Sequence, residues 1–417
     1  MDEHKRHVAA YKFFMRLARP IAKCKFNFTY EKVAVPQDRP ILLLCNHNTD
    51  FDCIFAGLAA DRQIYFVATE KITRMGLLGR LVMHFFKPIL HSKGMQGMGT
   101  IKSIYRYIHQ GYSVAMFPEG NRSFNGRTCP IPPATGRMAR ACGATLVTYR
   151  LTGGYFSSPR WGRGSRKGRL TGRVAHVYTP EALNGMSDDE LKLAIEQDLY
   201  EDAYEEQTRQ PVRYRGRCRA EGLESMLFLC PGCRRISGLR AKADRLFCGC
   251  GFEAEYDEYG YLQAADGSRH TLTDLDEAQR RYMDELYEQL VQAEGCVAGQ
   301  AAGSRAAVGQ AAAEQTADGT LSPIFSDSVI CETIAPDHSV AQRQAVRLSA
   351  YTDRFVIGDR EIPFSSITGM AINQRNLLMV HFAGSESHYE MTGPLSYNAL
   401  KYLYLFRAAC GSRNGIL

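Results

Sequence analysis

Two residues five positions apart, His47 and Asp52, are the pair in this chain best suited to moving a proton. A carboxylate that hydrogen-bonds one imidazole nitrogen fixes the tautomer, so that the other nitrogen can take a proton from a hydroxyl. The run before them, Ile41, Leu42, Leu43, Leu44 and Cys45, has the length and branching of a buried strand, and Asn46 and His47 end it abruptly. Thr49 or Asp50 can cap the helix predicted by the apolar spacing of F-D-C-I-F-A-G-L-A-A. His47 is thus expected at the carboxyl end of a strand and Asp52 in the first turn of the next helix. Such pairs are more often structural than catalytic, so N-H-x-x-x-x-D acquires meaning only with a second element.

That element is F-P-E-G-N-R-S at residues 117–123, directly after the apolar segment 113–116. Arg122 carries a guanidinium that grips two phosphate oxygens at once and stays charged. Gly120 lets backbone approach a ligand closely, and Glu119 can orient an arginine or a substrate hydroxyl. Without its flanking residues, Arg122 would read as a surface ion pair.

Together the two blocks resemble the glycerolipid acyltransferases, the 1-acyl-glycerol-3-phosphate acyltransferase family, which carry N-H-x-x-x-x-D and, about seventy residues later, F-P-E-G-T-R-S. Asn121 stands here in place of the threonine, and the resemblance covers residues 25–178. It implies that His47, steadied by Asp52, deprotonates a lysophospholipid hydroxyl. That oxygen then attacks the thioester of acyl-CoA or acyl-carrier protein without an acyl-enzyme. Arg122 would hold the acceptor's phosphate. Where the family has a further arginine, this chain reads K-P-I-L-H-S-K-G, so His91 or Lys93 would supply the second positive charge. The proline-bearing fourth block of the family is not visible in V-T-Y-R-L-T-G-G at 147–154.

The elements that must position these residues alternate. Strands are expected at 63–69, 88–91, 113–117 and 145–151, and helices at 76–86, 100–109 and 134–142. This predicts an α/β fold, with a mostly parallel central sheet flanked by helices and ligands gathering at the strand ends. At 417 residues, two or three domains are expected. We place an acyltransferase domain at 1–210, a zinc ribbon at 211–265, a helix and flexible linker at 266–320 and a β-rich domain at 321–417.

The net charge of +7 is a modest excess concentrated in the first half. Thirteen cysteines without a secretory signal argue for a reducing compartment. No run approaches the roughly 18 apolar residues of a spanning helix, so membrane contact is expected to be peripheral, at the cytoplasmic inner face. The segment 8–25 mixes Tyr11, Phe13, Phe14, Leu17 and Ile21 with Lys12, Arg16, Arg19, Lys23 and Lys25. It suits either an anionic membrane surface or packing on the catalytic domain, with Pro20 bending or dividing the helix. Arg160, Arg163, Arg166, Lys167 and Arg169 surround the single tryptophan, Trp161, a pattern that fits an anionic bilayer, an acyl carrier's phosphates or a solvated hairpin. Nucleic acid is the less favoured partner. Ser187 caps an acidic helical pattern continuing through Tyr204.

Cys230 and Cys233 are followed, after fourteen residues, by Cys248 and Cys250. Two close thiol pairs with glycines at their turns can place four sulfurs around zinc, and the segment resembles a zinc ribbon. A redox disulfide pair is the competing reading. Four ligands leave no open position, so the metal would be structural, and no catalytic metal is expected. A helix is expected at 271–290, and the Ala/Gly-rich stretch 292–319 cannot bury enough to fold. Short alternating strands and a terminal helix at 396–409 look like a pleckstrin-homology-like domain, able to bind lipid or a partner or to be passive. The alternative function is a non-enzymatic lipid- or nucleic-acid-binding protein built from the ribbon and this last domain.

Overall fold

Strand Ile41–Cys45 is buried at every position, which an edge strand or a strand with one wet face could not be. It is the fourth of seven strands in a sheet that forms the core of the first of two compact units. The structure is a computed structural model describing residues 3–91, 98–297 and 322–411. The first unit comprises residues 1–219 and 256–262, the second 220–255 and 263–417.

The seven strands are β1 (Phe28–Tyr30), β2 (Ile41–Cys45), β3 (Ile64–Thr69), β4 (Ile89–His91), β5 (Ser113–Met116), β6 (Thr145–Thr152) and β7 (Leu170–Tyr178), in the order β1-β7-β6-β2-β5-β3-β4. All neighbours run parallel except β6 and β7. Helices α1 (Glu3–Phe26), α2 (Asp52–Ala60), α3 (Gly76–Phe85), α4 (Met98–His109) and α5 (Ala134–Ala141) supply the connections and cover the faces. The expected mixed α/β fold with a mostly parallel sheet is what forms. The three-residue β1 and the antiparallel β7 were not foreseen: one is too short for periodicity, and the other follows a basic stretch that reads as loop.

α1 is a single 24-residue helix that contains Pro20, where a bend or division was expected. Its inner side, Tyr11, Ala18, Ala22 and Phe26, is buried, and the Tyr11 hydroxyl donates to the Gly57 carbonyl (3.1 Å). Phe13, Leu17 and Ile21 lie on the other side and are 66%, 52% and 58% exposed. α3 similarly exposes Leu77, Leu78 and Leu81, and Phe14 meets Phe86 edge-on just beyond α3. No helix among the described residues is long and apolar enough to cross a membrane.

The Arg160–Arg169 cluster departs from its expectation as a lipid-facing or solvated patch. Trp161 is only 1% exposed, its indole N–H donates to the Tyr155 hydroxyl, and Arg160 and Arg166 are buried as well. Arg166 lies over the rings of Trp161 and Tyr256 and donates to the Arg219 carbonyl. Aromatic surroundings take up the flat, weakly hydrated guanidinium, leaving Arg163 and Lys167 as the exposed cations of this stretch.

In the second unit, β8 (Leu239–Lys242), β9 (Arg245–Cys248) and β10 (Glu253–Tyr256) pair antiparallel around the cysteine knuckles. A second, seven-stranded antiparallel sheet runs from Phe325–Ile334 to His388–Thr392 and is closed by helix Ala399–Cys410. Lys401 on that helix is 1% exposed, donating to Asp327 (2.7 Å) in the sheet and to Ser237 Oγ (2.8 Å) beside the knuckles. Asn398 caps the helix with its carbonyl oxygen while its amide donates to the Glu224 carbonyl. Helix Leu272–Val297 runs beyond the expected end at 290, and Gln279 on it bonds both Met226 and Phe228 backbone. The expected flexible linker lies, from 298 on, outside the described residues.

Candidate active site

β2 ends where its apolar run ends, and the chain turns over the carboxyl edge of the sheet before α2 begins at Asp52. The Asp52 carboxylate is fully buried and organises that turn. It accepts His47 Nδ1 (2.9 Å), the amides of Asn48 (2.6 Å) and Thr49 (2.8 Å) and the Thr49 hydroxyl (2.6 Å). Three of these donors converge on one carboxylate oxygen and the fourth meets the other, which fixes the side chain at the first turn of the helix. His47 is a quarter exposed at the side chain, its ring stacks on Phe117 (4.4 Å between centroids), and Nε2 is the nitrogen turned away from Asp52.

β5 delivers the second block to the same edge. Gly120 adopts φ +66° in a turn closed by its amide on the Phe117 carbonyl. The two loops then clasp through the backbone of His47, whose N–H donates to Glu119 Oε1 (2.6 Å) and whose carbonyl accepts from Ser123 N–H (2.9 Å). Glu119's other oxygen accepts the Cys129 amide (2.6 Å). Both Glu119 oxygens thus bind backbone, where the sequence suggested an arginine or a substrate hydroxyl as partner. Burial pushes its carboxyl well above the ordinary range, against the pull of the two amides. Arg122 pairs with Asp50 (3.0 Å), inside the His47–Asp52 turn itself, so guanidinium and imidazole share one edge. Arg122 is mostly buried and Asp50 mostly exposed; burial lowers the Arg122 pKa and Asp50 opposes this.

His91 closes β4 with Nδ1 3.2 Å from Thr100 Oγ1. Its strand lies three positions from β2 in the sheet, roughly 14 Å away at ordinary strand spacing. Lys93 lies outside the described residues.

Sequence reasoning missed Glu201. The acidic helix expected to run through Tyr204 stops at Leu199; Tyr200 is extended and Asp202 caps a new helix, Ala203–Arg209. This break turns Glu201 inward, where it accepts the Gly153 amide (2.9 Å) and the side-chain amides of Asn46 (3.2 Å) and Asn48. Burial pushes its carboxyl up to about 8, against those hydrogen bonds. Gly153 has φ +83°, and a Cβ there would fall 2.2 Å from the Arg169 carbonyl oxygen, so no other residue fits that corner. The available signal was D-A-Y-E at 202–205, a capping pattern inside the helical run. Asn46 ties the turn to β6, its side chain accepting the Leu151 amide and donating to the Leu151 carbonyl.

In the second unit, Cys230, Cys233, Cys248 and Cys250 gather with all four sulfurs within 4.8 Å of one another, unbridged. The Cys230–Cys250 and Cys233–Cys248 sulfurs are 3.7 and 3.9 Å apart. A tetrahedron with metal–sulfur bonds of about 2.3 Å has edges of about 3.8 Å, so the arrangement fits zinc. Backbone amides aim at the sulfurs, those of Gly232 and Cys233 at Cys230 and that of Phe252 at Cys250.

Among solved structures, the 1-acyl-sn-glycerophosphate (LPA) acyltransferase PlsC from Thermotoga maritima is 16% identical, with a TM-score of 0.43 over 52% of this chain and 86% of that one. That likeness is too distant to carry an argument. Residues 27–152 match the model of the Acyltransferase family, a span that contains both motif blocks and the strands presenting them. This segment is an acyltransferase domain.

Proposed function

We propose that the chain moves a fatty acyl group from the thioester of acyl-CoA or acyl-carrier protein to the hydroxyl of a lysophospholipid, 1-acyl-sn-glycerol-3-phosphate in the first instance, within phospholipid biosynthesis. The reading rests on one observation: His47, bonded to Asp52, and Arg122, bonded from the neighbouring loop to Asp50 of the same turn, meet at the sheet's carboxyl edge. In this mechanism His47 Nε2 takes the acceptor's hydroxyl proton as the oxygen attacks the thioester carbonyl. Asp52 holds the ring and stabilises the imidazolium. The carbon–sulfur bond breaks, and the departing thiolate recovers the proton from His47. Arg122 binds the acceptor phosphate in exchange for Asp50. Glu119 and Gly120 shape the turn, while His91 ends a strand farther along the same edge.

Zinc, held by Cys230, Cys233, Cys248 and Cys250, would tie the knuckles together and take no part in the chemistry, since four thiolates fill its coordination. The exposed apolar residues of α1 and α3, with the cations of α1 among them, favour peripheral binding to an anionic membrane surface, on its cytoplasmic side. The C-terminal sheet and helix are read as pleckstrin-homology-like. Incubation of the full chain with labelled acyl-CoA and a panel of lysolipids, with product masses measured, tests the reaction. A diacylated phospholipid product is expected; acyl-CoA left intact with every acceptor, under conditions where the protein is folded and vesicle-bound, would refute it.

A further inference from the structure

The phosphate of the proposed acceptor carries between one and two negative charges near neutral pH, and Arg122 alone is a single cation already answered by Asp50. The sequence offered His91 or Lys93 as a second cation, but His91 stands three strands away from β2. A different guanidinium lies against the motif turn itself. Arg160, contributed from beyond β6, is 3% exposed and lies over Phe124, its central carbon 3.8 Å from the ring centroid. Its Nη1 donates to the Asn121 side-chain oxygen (3.3 Å) and to the Arg122 carbonyl (3.2 Å).

We propose that Arg160 is a positioning residue that sets the preference for phosphate-bearing acceptors, by fixing the turn from which Arg122 presents its guanidinium. The inference rests on the acyl-transfer reading and deepens it. Three features carry it. Burying a guanidinium is costly, and here the cost is met by stacking and hydrogen bonds directed at the two residues that begin the N-R-S of the block. Asn121, the one departure from the F-P-E-G-T-R-S pattern, supplies a carbonyl oxygen that reaches Arg160. Finally, two guanidiniums are crowded together: after burial, Arg122 is the largest influence drawing the Arg160 pKa down, to about 9. Asp50 is the carboxylate paired with Arg122, and it is exposed, so an arriving phosphate can take its place and relieve the repulsion.

The test compares the wild-type chain with Arg160→Met, Arg160→Lys and Asn121→Thr in steady-state acyl-CoA turnover. It adds calorimetric titration of sn-glycerol 3-phosphate, which needs no turnover. Arg160→Met should raise the KM for lysophosphatidic acid about tenfold or more, leaving the acyl-CoA KM and kcat within about threefold, and should weaken glycerol 3-phosphate binding in parallel. Arg160→Lys, which keeps charge without the planar fork, should recover only part of the loss. Asn121→Thr should shift the same KM in the same direction by a few-fold, and it carries the test if Arg160→Met does not fold. Equal losses for both substrates, a fall confined to kcat, or unchanged glycerol 3-phosphate affinity would overturn the role of Arg160. Phosphate binding that depends on Arg160 without any acyl product would instead uphold the positioning role of Arg160 and refute acyl transfer.

Discussion

Replacing Asp52 by asparagine separates the charge of this residue from its shape. The native carboxylate accepts His47 Nδ1–H, two amides and the Thr49 hydroxyl. Three of those donors meet at Oδ2, where the oxygen of an asparagine can sit. Its amide then faces Thr49 Oγ1, which already accepts the Phe51 amide (3.0 Å) and has a second lone pair to offer. The turn should therefore survive at a cost of roughly 1–3 kcal/mol, the usual loss when charge-assisted bonds become neutral. What disappears is the anion beside an imidazole that becomes positive as it takes the proton. A pair of unit charges about 4 Å apart is worth about 4 kcal/mol at an effective dielectric of 20, which translates to about a thousandfold in rate. The assay is thiol release from acyl-CoA in the presence of lysophosphatidic acid, alongside the melting curve. Asp52→Asn should melt within several degrees of wild type and turn over about a thousandfold more slowly. A folded variant within tenfold of wild-type kcat would refute the reasoning, because the imidazole would then not depend on its carboxylate.

Glu201 should make stability fall with rising pH. Its folded-state pKa of about 8 exceeds the ordinary 4.5, so the native state binds more protons between those values; the stability fully present below 4.5 is lost as pH rises through 8. The full effect is on the order of 5 kcal/mol, and Glu201→Gln should flatten the melting-temperature profile between pH 5 and 8, whereas parallel profiles would contradict it. The protein should purify with about one zinc per chain by mass spectrometry, and Cys233→Ser or chelation should lower the melting of the second unit; full folding without metal would count against the site. Replacing Phe13, Leu17 and Ile21 together by serine should weaken sedimentation with anionic vesicles on the order of a hundredfold, and unchanged co-sedimentation would reject that face.

The parts of this protein that were legible in its sequence are those governed by local pattern. The run Ile41–Cys45 has the length and branching of the buried strand it forms, and the alternation that follows predicts a parallel sheet, because helical and strand periods differ and turn residues punctuate them. The motif blocks announced His47, Asp52 and Arg122 because their residue types sit at fixed spacing. What was not legible depends on partners distant along the chain. Glu119 looks like a ligand until its oxygens meet the amides of His47 and Cys129. Arg160 and Trp161 look like an interfacial patch until Phe124 and Tyr155 enclose them. Glu201 is one acid among many until the chain breaks at Tyr200, and a single cap inside a helical run is easily outweighed by periodicity.

The buried ammonium of Lys401, shared between Asp327 and Ser237, has a meaning for how this polypeptide can be cut and recombined. An expression boundary drawn just before Ser322 would strip the knuckle-bearing segment of its cation and of the Asn398 contact to Glu224. The converse excision would leave Lys401 with Asp327 alone and Asn398 without the Glu224 carbonyl. Residues 220–255 and the C-terminal sheet should therefore be inherited, transplanted or deleted as one block, despite the long tract of chain that separates them.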